Sequence, residues 1–376
     1  MHFQVSTQEF SEALSDVVLP GSKTGLEGIS LILVEVTPSE VTVTGSDLDM
    51  VVARKVSASA QGEFSFTTGA RRVLSVFRAL PGETAQAKLG GGGKFSIVSG
   101  VAKAVIPTGM AEEFPDSNIP AGQTRFEMGG GDLRRHLERV HYAAAKDGSR
   151  YICMGVSLDI ESGRIRFAAT DAKRVSLSVE EGSGRGKAQC VIPTKAVERL
   201  MKILPRDKGR VEIGISAGWA TFTWGGGSLS TKLLEGTFPN FSKLLDDTAT
   251  RSSAVARRGA LLDAVRRAAA AGGGEGIITL SIRSANEEDI GLLGSAPGVV
   301  AVSLPEGVEG AYSEILPLEF APSRDSKISL FSDYLSEPLA VGGGDTVTLK
   351  YGEPTETVVL DQPGEIMSIL SPVRLK

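Results

Sequence analysis

The sequence is poor in the residues that build metal centres, disulfide frameworks and nucleophilic sites. Two cysteines, Cys153 and Cys190, and three histidines, His2, His136 and His141, occur in 376 residues. The cysteines stand 37 apart and outside any CxxC pattern, so neither a zinc site nor a disulfide framework is expected. Their scarcity fits a reducing compartment. Three scattered histidines make no His-rich site, and neither a metal nor a cofactor is expected. Long apolar runs are missing too. The strongest, residues 29–36, already contains Glu35 and falls far short of the roughly 20 residues a spanning helix needs, so no membrane contact is expected. The opening MHFQVSTQEF has no basic stretch followed by an apolar one, which predicts a cytoplasmic protein without a signal peptide. Neither sign of charge dominates. Forty Lys+Arg against 45 Asp+Glu leave a net charge of −5, which disfavours indiscriminate attraction to nucleic acid or anionic membrane.

What is present is ordinary globular composition, 41% hydrophobic and 23% charged, which excludes fibre and disorder. The length suggests two to four domains. An internal repeat narrows that range. Thr170-Asp171 in FAATDAKRVSL follows Ser46-Asp47 in VTGSDLDMVVA by 124 residues. Leu204-Pro205 follows Leu80-Pro81, and Phe238-Pro239 follows Phe114-Pro115, by the same 124. Three copies of 124 residues nearly fill the chain, the third marked more faintly by ARRGALLDAVRRAAAA, SRDSKISLFSDYLSEPL and VTLKYGEPTETVVL. Domains are therefore expected at 1–121, 122–248 and 249–376, with polar breaks at AGQT and DDTAT.

Each copy reads as strand, helix, strands, helix, strands. Ser6 or Thr7, Asp132 and Thr194 are expected helix caps. Ala196, Val197, Leu200, Met201 and Leu204 share one helix face, and SGRIRFAAT alternates as a strand does. The fold class is α+β, two helices packed on antiparallel sheets in each copy. Six expected helices, with the last placed at 323–336, sum to +6 and leave −11 outside them. A helix-lined surface would then be a phosphate-facing stripe on an acidic body. Enzyme signatures fail. GSGRGKA at 182–188 lacks the first glycine and the Ser/Thr of a P-loop, no nucleophile elbow occurs, and Asp47 and Asp171 recur once per repeat as turn residues do.

The run SRYICMGVSLDIESGRIRFAATDAKRVSLSV, followed by VIPTKAVERLMKILP and LLEGTFPNFSKLL, resembles the middle domain of the bacterial β sliding clamps, the processivity subunits of DNA polymerase III. TGSDLDM, ARRVLSVFRALP, EEFP and the C-terminal PVRL are similar as well, so the resemblance covers the chain, weakest between about 272 and 345. It implies three clamp domains per subunit and two subunits closing head to tail into a six-domain ring. Twelve helices about 10 Å apart would leave a hole of roughly 28 Å, enough for a duplex. It also implies a non-catalytic accessory subunit that encircles double-stranded DNA without reading sequence and associates with the nucleoid. A clamp loader, the replicative polymerase and other clamp-motif proteins would be its partners. A specialised paralogue from a mobile element or phage, serving a dedicated polymerase or repair system, is the alternative. An unrelated NTPase or other enzyme is the remote one.

Residue by residue, the resemblance implies DNA-facing positions at Lys23, Arg71, Arg72, Arg78, Lys146, Arg150, Lys195, Arg199, Lys202, Arg266 and Arg267. It implies a peptide pocket formed by Cys153, Thr170, Ala172, Lys173, Arg174, Val175, Pro239, Lys243, Leu244, Ile369, Leu370, Pro372, Val373 and Arg374. An apolar groove with a few polar groups suits an extended peptide bearing hydrophobic anchors. Ordinary core packing is the competing account of Leu370 and Val373. The implied subunit contact falls at Ala104, Ile106, Ala270 and Ala271. The chain departs from the family at Ala172, Lys173 and Cys153, where Gly, His and a larger aliphatic are common, and the three alanines of the subunit contact replace bulkier residues. An altered pocket and a weaker dimer are the expected consequences.

Overall fold

The structure, a computed structural model, describes residues 1–19, 31–115, 119–120, 122, 124–161, 163–182, 186–205, 209–241, 251–274, 276–306, 310–362, 364 and 366–375. Seven α-helices lie in these residues: α1 (Thr7–Val17), α2 (Ala70–Arg78), α3 (Gly130–Val140), α4 (Thr194–Ile203), α5 (Arg258–Ala271), α6 (Glu287–Leu293) and α7 (Ser332–Val341). Strands make up two twelve-stranded antiparallel sheets. Compactness divides the chain into one unit of Met1–Asp132 with Glu198–Leu233 and a second of Leu133–Val197 with Leu234–Lys376. Each unit holds one sheet.

The 124-residue repeat is visible element by element. Strands Leu31–Val36, Glu40–Ser46, Met50–Gln61 and Phe64–Gly69, then α2, reappear as Gly155–Glu161, Arg164–Thr170, Arg174–Glu181 and Ala188–Pro193, then α4. The third copy follows the same order, with Ile277–Ser284, Gly298–Ser303, Ser313–Leu318 and Ser326–Phe331 before α7. Between its first two strands it carries α6, which the sequence reading did not anticipate. In the first copy Thr37–Ser39 alone make that turn. The insertion displaces everything after it, which is why the last helix lies at Ser332–Val341 rather than 323–336; SRDSKISLF is mostly a strand.

That displacement also corrects the charge count. By observed helix, α1 carries −3, α2 +3, α3 +1, α4 +2, α5 +2, α6 −3 and α7 −2, so the seven described helices are neutral together. Basic charge is a property of α2, α4 and α5, not of helices in general. Caps were legible in part. Ser6 does cap α1, its hydroxyl accepting the Glu9 N–H at 3.4 Å. Asp132 lies inside the first turn of α3, and the Thr194 hydroxyl donates to the Met154 carbonyl at 2.7 Å instead of capping α4.

In the first and third copies the helix pair packs on the copy's own sheet. In the first copy Phe10 of α1 meets Phe77 of α2 at 4.6 Å between ring centres, over Phe3, Phe66 and Phe95. Burying such rings dominates the stability of the layer. The third copy packs Leu261, Leu262, Val265 and Ala268 of α5 and Leu335 and Leu339 of α7 into one cluster. Arginines bind helix ends: Arg258 donates to Leu339 O at 2.6 Å, closing the carbonyl end of α7.

Successive copies are joined by strand pairing. The last strand of the second copy, Gly227–Lys232, pairs with Met50–Gln61 of the first, with Thr231 opposite Met50. The last strand of the third, Ile366–Leu370, pairs with Arg174–Glu181 of the second, with Leu370 opposite Arg174. One hydrogen bond recurs at both junctions: Lys232 N–H to Asp49 O at 2.8 Å, and Ser371 N–H to Lys173 O at 2.9 Å. The equivalent strands left over are the last of the first copy, Ala102–Gly109, and the third of the last copy, Ser313–Leu318. Ala102–Gly109 pairs with Lys94–Ser99, and on its other edge only Thr108 and Gly109 are matched. Ser313–Leu318 pairs with Gly298–Ser303, and on its other edge only Leu318 is matched. Among the described residues, each therefore has an open edge.

Candidate functional site

The turn between Arg164–Thr170 and Arg174–Glu181 organises the site. The Asp171 carboxylate accepts the N–H groups of Lys173 and Arg174 at 2.9 and 3.0 Å, and the Thr170 hydroxyl accepts that of Ala172 at 3.0 Å. Asp47 and Ser46 make the same bonds in the first copy. Both turns need a left-handed residue, filled by Leu48 at φ 72° and Ala172 at φ 73°. The recurring aspartate is thus a turn device, as its spacing suggested.

The turn presents Arg174, which is 5% exposed. Its guanidinium donates to Asp171 at 3.1 Å, to the Tyr142 carbonyl at 2.8 Å and to Glu337 of α7. Its charge lies 4.5 Å from the centre of the Tyr334 ring and 5.5 Å from that of Tyr142. Burial alone would lower its pKa, and Glu337 and Asp171 more than compensate, holding it above the ordinary value. Below it the Tyr142 hydroxyl meets Ser176 Oγ at 2.8 Å and Ser368 Oγ at 3.1 Å, and burial pushes that phenol up to about 12. Burial likewise pushes Tyr334 up to about 12. Both stay neutral near pH 7 and serve as rigid walls.

Beside this cluster opens a cavity of about 590 Å³, lined by residues 144–147, Arg150, residues 171–174, Asp333 and Tyr334. It joins Ala172, Lys173 and Arg174 of the expected pocket to Lys146 and Arg150 of the expected DNA-facing set. On the other face of the same strand, Val175 packs with Val359 and Ile369, with Phe241 and Met367 partly buried against them. Ala168, Leu177, Val191 and Phe238 form a second buried cluster that shares Phe241, with Ile152, Val179 and Leu234 partly exposed over it. Strand alternation separates the polar cluster from the apolar patch.

The remaining pocket positions divide by exposure. Cys153, Thr170 and Leu370 are buried, and Leu370 belongs to the third copy's core. Pro239 and Arg374 are exposed, and Pro372 and Val373 half-buried. The Val373 N–H donates to Ser329 O at 2.8 Å, fixing the tail by its backbone. Lys243 and Leu244 lie outside the described residues, as does Lys23. Sequence reasoning missed Tyr142, Tyr334, Glu337, Phe241 and Met367. The displaced third copy hid the α7 residues, and nothing in the sequence distinguishes Tyr142 from an ordinary helix-end aromatic.

Of the basic positions, Arg71, Arg72 and Arg78 on α2, Lys195 and Lys202 on α4, and Arg266 on α5 are exposed. Arg199 is half-buried and donates to the Ser15 and Val18 carbonyls at 3.3 and 2.8 Å, so it binds the end of α1. Arg267 is held by both Glu314 oxygens at 2.7 and 3.0 Å. Ala104 is half-buried, Ile106 is buried, and Ala270 and Ala271 are exposed at the end of α5. Val98, Val101 and Val105 are exposed on the neighbouring hairpin. Among the described residues, no group of three or more His, Cys, Asp or Glu could hold a metal, and no helix is long and apolar enough to cross a membrane.

Family models for the N-terminal and central domains of the DNA polymerase III beta subunit match residues 1–120 and 128–240. The β sliding clamp of Pseudomonas aeruginosa is 25% identical over 249 residues, covering 65% of this chain and 68% of that one. That of Escherichia coli is 25% identical over 248 residues, with the same coverage. The solved DNA polymerase sliding clamp of Bacillus subtilis superposes over all of both chains with a TM-score of 0.89 at 20% identity. A P. aeruginosa clamp solved bound to griselimycin superposes over all of both chains at 0.87 and 21%.

Proposed function

The chain belongs to the DNA polymerase III beta subunit family and is a DNA sliding clamp, a non-catalytic processivity factor; from this premise we propose how its parts divide that work. Three clamp domains, at 1–121, 122–248 and 249–376, join end to end, and two copies close into a six-domain ring around duplex DNA. The observation that carries this reading is the junction made twice within the chain and left open at two edges. Continuing the repeat pairs Ala102–Gly109 of one copy with Ser313–Leu318 of a second, with Lys103 opposite Ser313. An open, flat strand edge invites such pairing, and a head-to-tail contact that meets itself closes a ring. Ala270 and Ala271 lie near this edge, since the Ala271 carbonyl is close to Gly310. Pro107 stands where Lys232 and Ser371 donate, so this junction has one N–H fewer than the internal ones.

A closed ring holds DNA by topology, so it needs only weak phosphate contacts. The exposed cations of α2 and α4, with Arg266, suit that role. The partly exposed Phe241, Met367, Ile152 and Leu234, over the buried Val175 and Ile369, with the adjoining cavity, suit the docking peptide of a polymerase or another clamp user. A loader opens the ring, and the protein works in the cytoplasm at the nucleoid. Loader-dependent retention on circular DNA should be complete and should vanish when the circle is cut. Retention that survives linearisation overturns the topological reading.

A further inference from the structure

We propose that the inserted helix α6 is an outer half of the subunit contact, its Ile290 and Leu292 receiving Val98 and Val101 of a second copy. This contact rests on the edge pairing proposed above and adds a surface that the insertion supplies. Alternation across three strands places α6. Ile282, Val300 and Leu316 stand opposite one another and point into the third copy's core. Arg283, Val299 and Pro317 make the next row and face the other, outer side of the sheet. Val299 is nevertheless fully buried, so that side is covered there. Arg283 grips both oxygens of Asp289 on α6, one at 2.9 Å, and the helix lies against Ser313–Leu318, the open-edge strand. The Asn286 side chain caps α6 by accepting the Asp289 N–H at 2.8 Å, and the Ala285 N–H to Pro297 O bond closes the base of the insertion. Held at both ends, α6 leaves Ile290 47% and Leu292 71% exposed. Exposed apolar side chains on a fixed helix mark a contact surface.

Register brings a second copy to it. With Lys103 opposite Ser313, Val101 falls opposite Ile315 and the hairpin turn reaches Pro317. The Glu319 N–H donates to Val255 O across this same edge. Alternation sets the nitrogen of residue 317 toward the edge too, and proline has no proton to give. Pairing ends where the hairpin itself ends. On the hairpin, Val98 lies opposite Lys103, on the face away from the buried Phe95, Ile97 and Ile106, and Val101 stands exposed at the turn. The outer sides of the two copies are then continuous, and the valines arrive beside α6. Charge agrees, since residues 94–109 carry Lys94 and Lys103 and no acid, whereas α6 with Arg283 carries −2. Ala104, Ala270 and Ala271 offer little bulk on the inner side, and the outer contact makes up that loss.

Sedimentation of the full-length protein over a concentration series tests this. Val101→Glu and Leu292→Lys each add a charge of the sign already present on their side. Each alone should raise the dimer dissociation constant at least about tenfold, as loss of an apolar anchor does. The melting temperature of the monomer should not move, because both side chains are exposed. Combined in one chain, the two charges face each other across the contact and should recover most of the loss, less so as salt rises. An unchanged constant in both single variants, while Val105→Pro in the paired strand raises it, overturns this contact and leaves the edge pairing standing. A double variant no tighter than the single ones overturns it as well. If Val105→Pro is also silent, the edge pairing falls with it.

Discussion

His136 illustrates how one side chain couples stability to pH. It is 3% exposed, stacked 4.9 Å from the Phe167 ring centre, with Nδ1 2.9 Å from Ser178 Oγ and Nε2 3.0 Å from Glu180. A neutral ring satisfies both neighbours, Nε2–H donating to the carboxylate and Nδ1 accepting from the hydroxyl. Burial pulls the pKa below its usual 6.5, although Glu180 opposes the change. The unfolded chain therefore takes up a proton first as pH falls. The contribution is fully present above about pH 6.5 and is lost between there and the lowered folded value. Each tenfold difference in proton affinity between the folded and unfolded chains is worth about 1.4 kcal/mol. Denaturation midpoints at pH 7.5 and 5.5 should differ less in His136→Gln than in the native chain, and an equal difference removes this histidine as a source. The sequence shows a lone histidine on a helix; only the packing makes it a buried, titrating one. By contrast the turn role of Asp171 was legible, because the aspartate recurs with its neighbours at a fixed spacing.

At the scale of the element, strand Ala102–Gly109 carries the sharpest consequence. Its Thr108 N–H donates to Gly93 O at 2.9 Å, toward the neighbouring strand. Alternation then points the N–H groups of Lys103 and Val105 outward to the open edge, as it does those of Ser228 and Ser230 at the internal junction. Val105→Pro removes an outward donor and leaves the inner ladder whole. It should raise the dimer dissociation constant about tenfold, as expected for a lost hydrogen bond of about 1 kcal/mol plus steric cost. Sedimentation across a concentration series, with the melting temperature of the monomer as control, would show it. An unchanged constant removes this edge from the subunit contact. Helix positions in the first two copies were readable from spacing and apolar periodicity. The third copy's last helix was not, because α6 intervenes and neither it nor α7 keeps the landmarks of its counterparts.

For the whole molecule, net charge is a weak guide and its distribution a strong one. The described helices are neutral in sum, yet α2 presents three exposed cations, Arg71, Arg72 and Arg78, and α4 two, Lys195 and Lys202. Replacing Arg71, Arg72, Lys195 and Lys202 with Glu should cut retention on circular DNA at least about tenfold and flatten its dependence on salt, since each lost phosphate contact removes counterion release. The dimer should persist in the same sedimentation assay, and unchanged retention would exclude these four from the DNA-facing surface. Spacing, periodicity and composition are local properties, and the repeat, the α+β class and the turn at Asp171 followed from them alone. Tertiary structure alone decided which arginines are spoken for. Arg174, Arg199 and Arg267 differ from Arg71 in the carbonyls and carboxylates that distant segments bring to them. It also decided that the copies join through strand edges, because hydrogen bonding between segments far apart in the chain leaves no mark in either segment's own sequence.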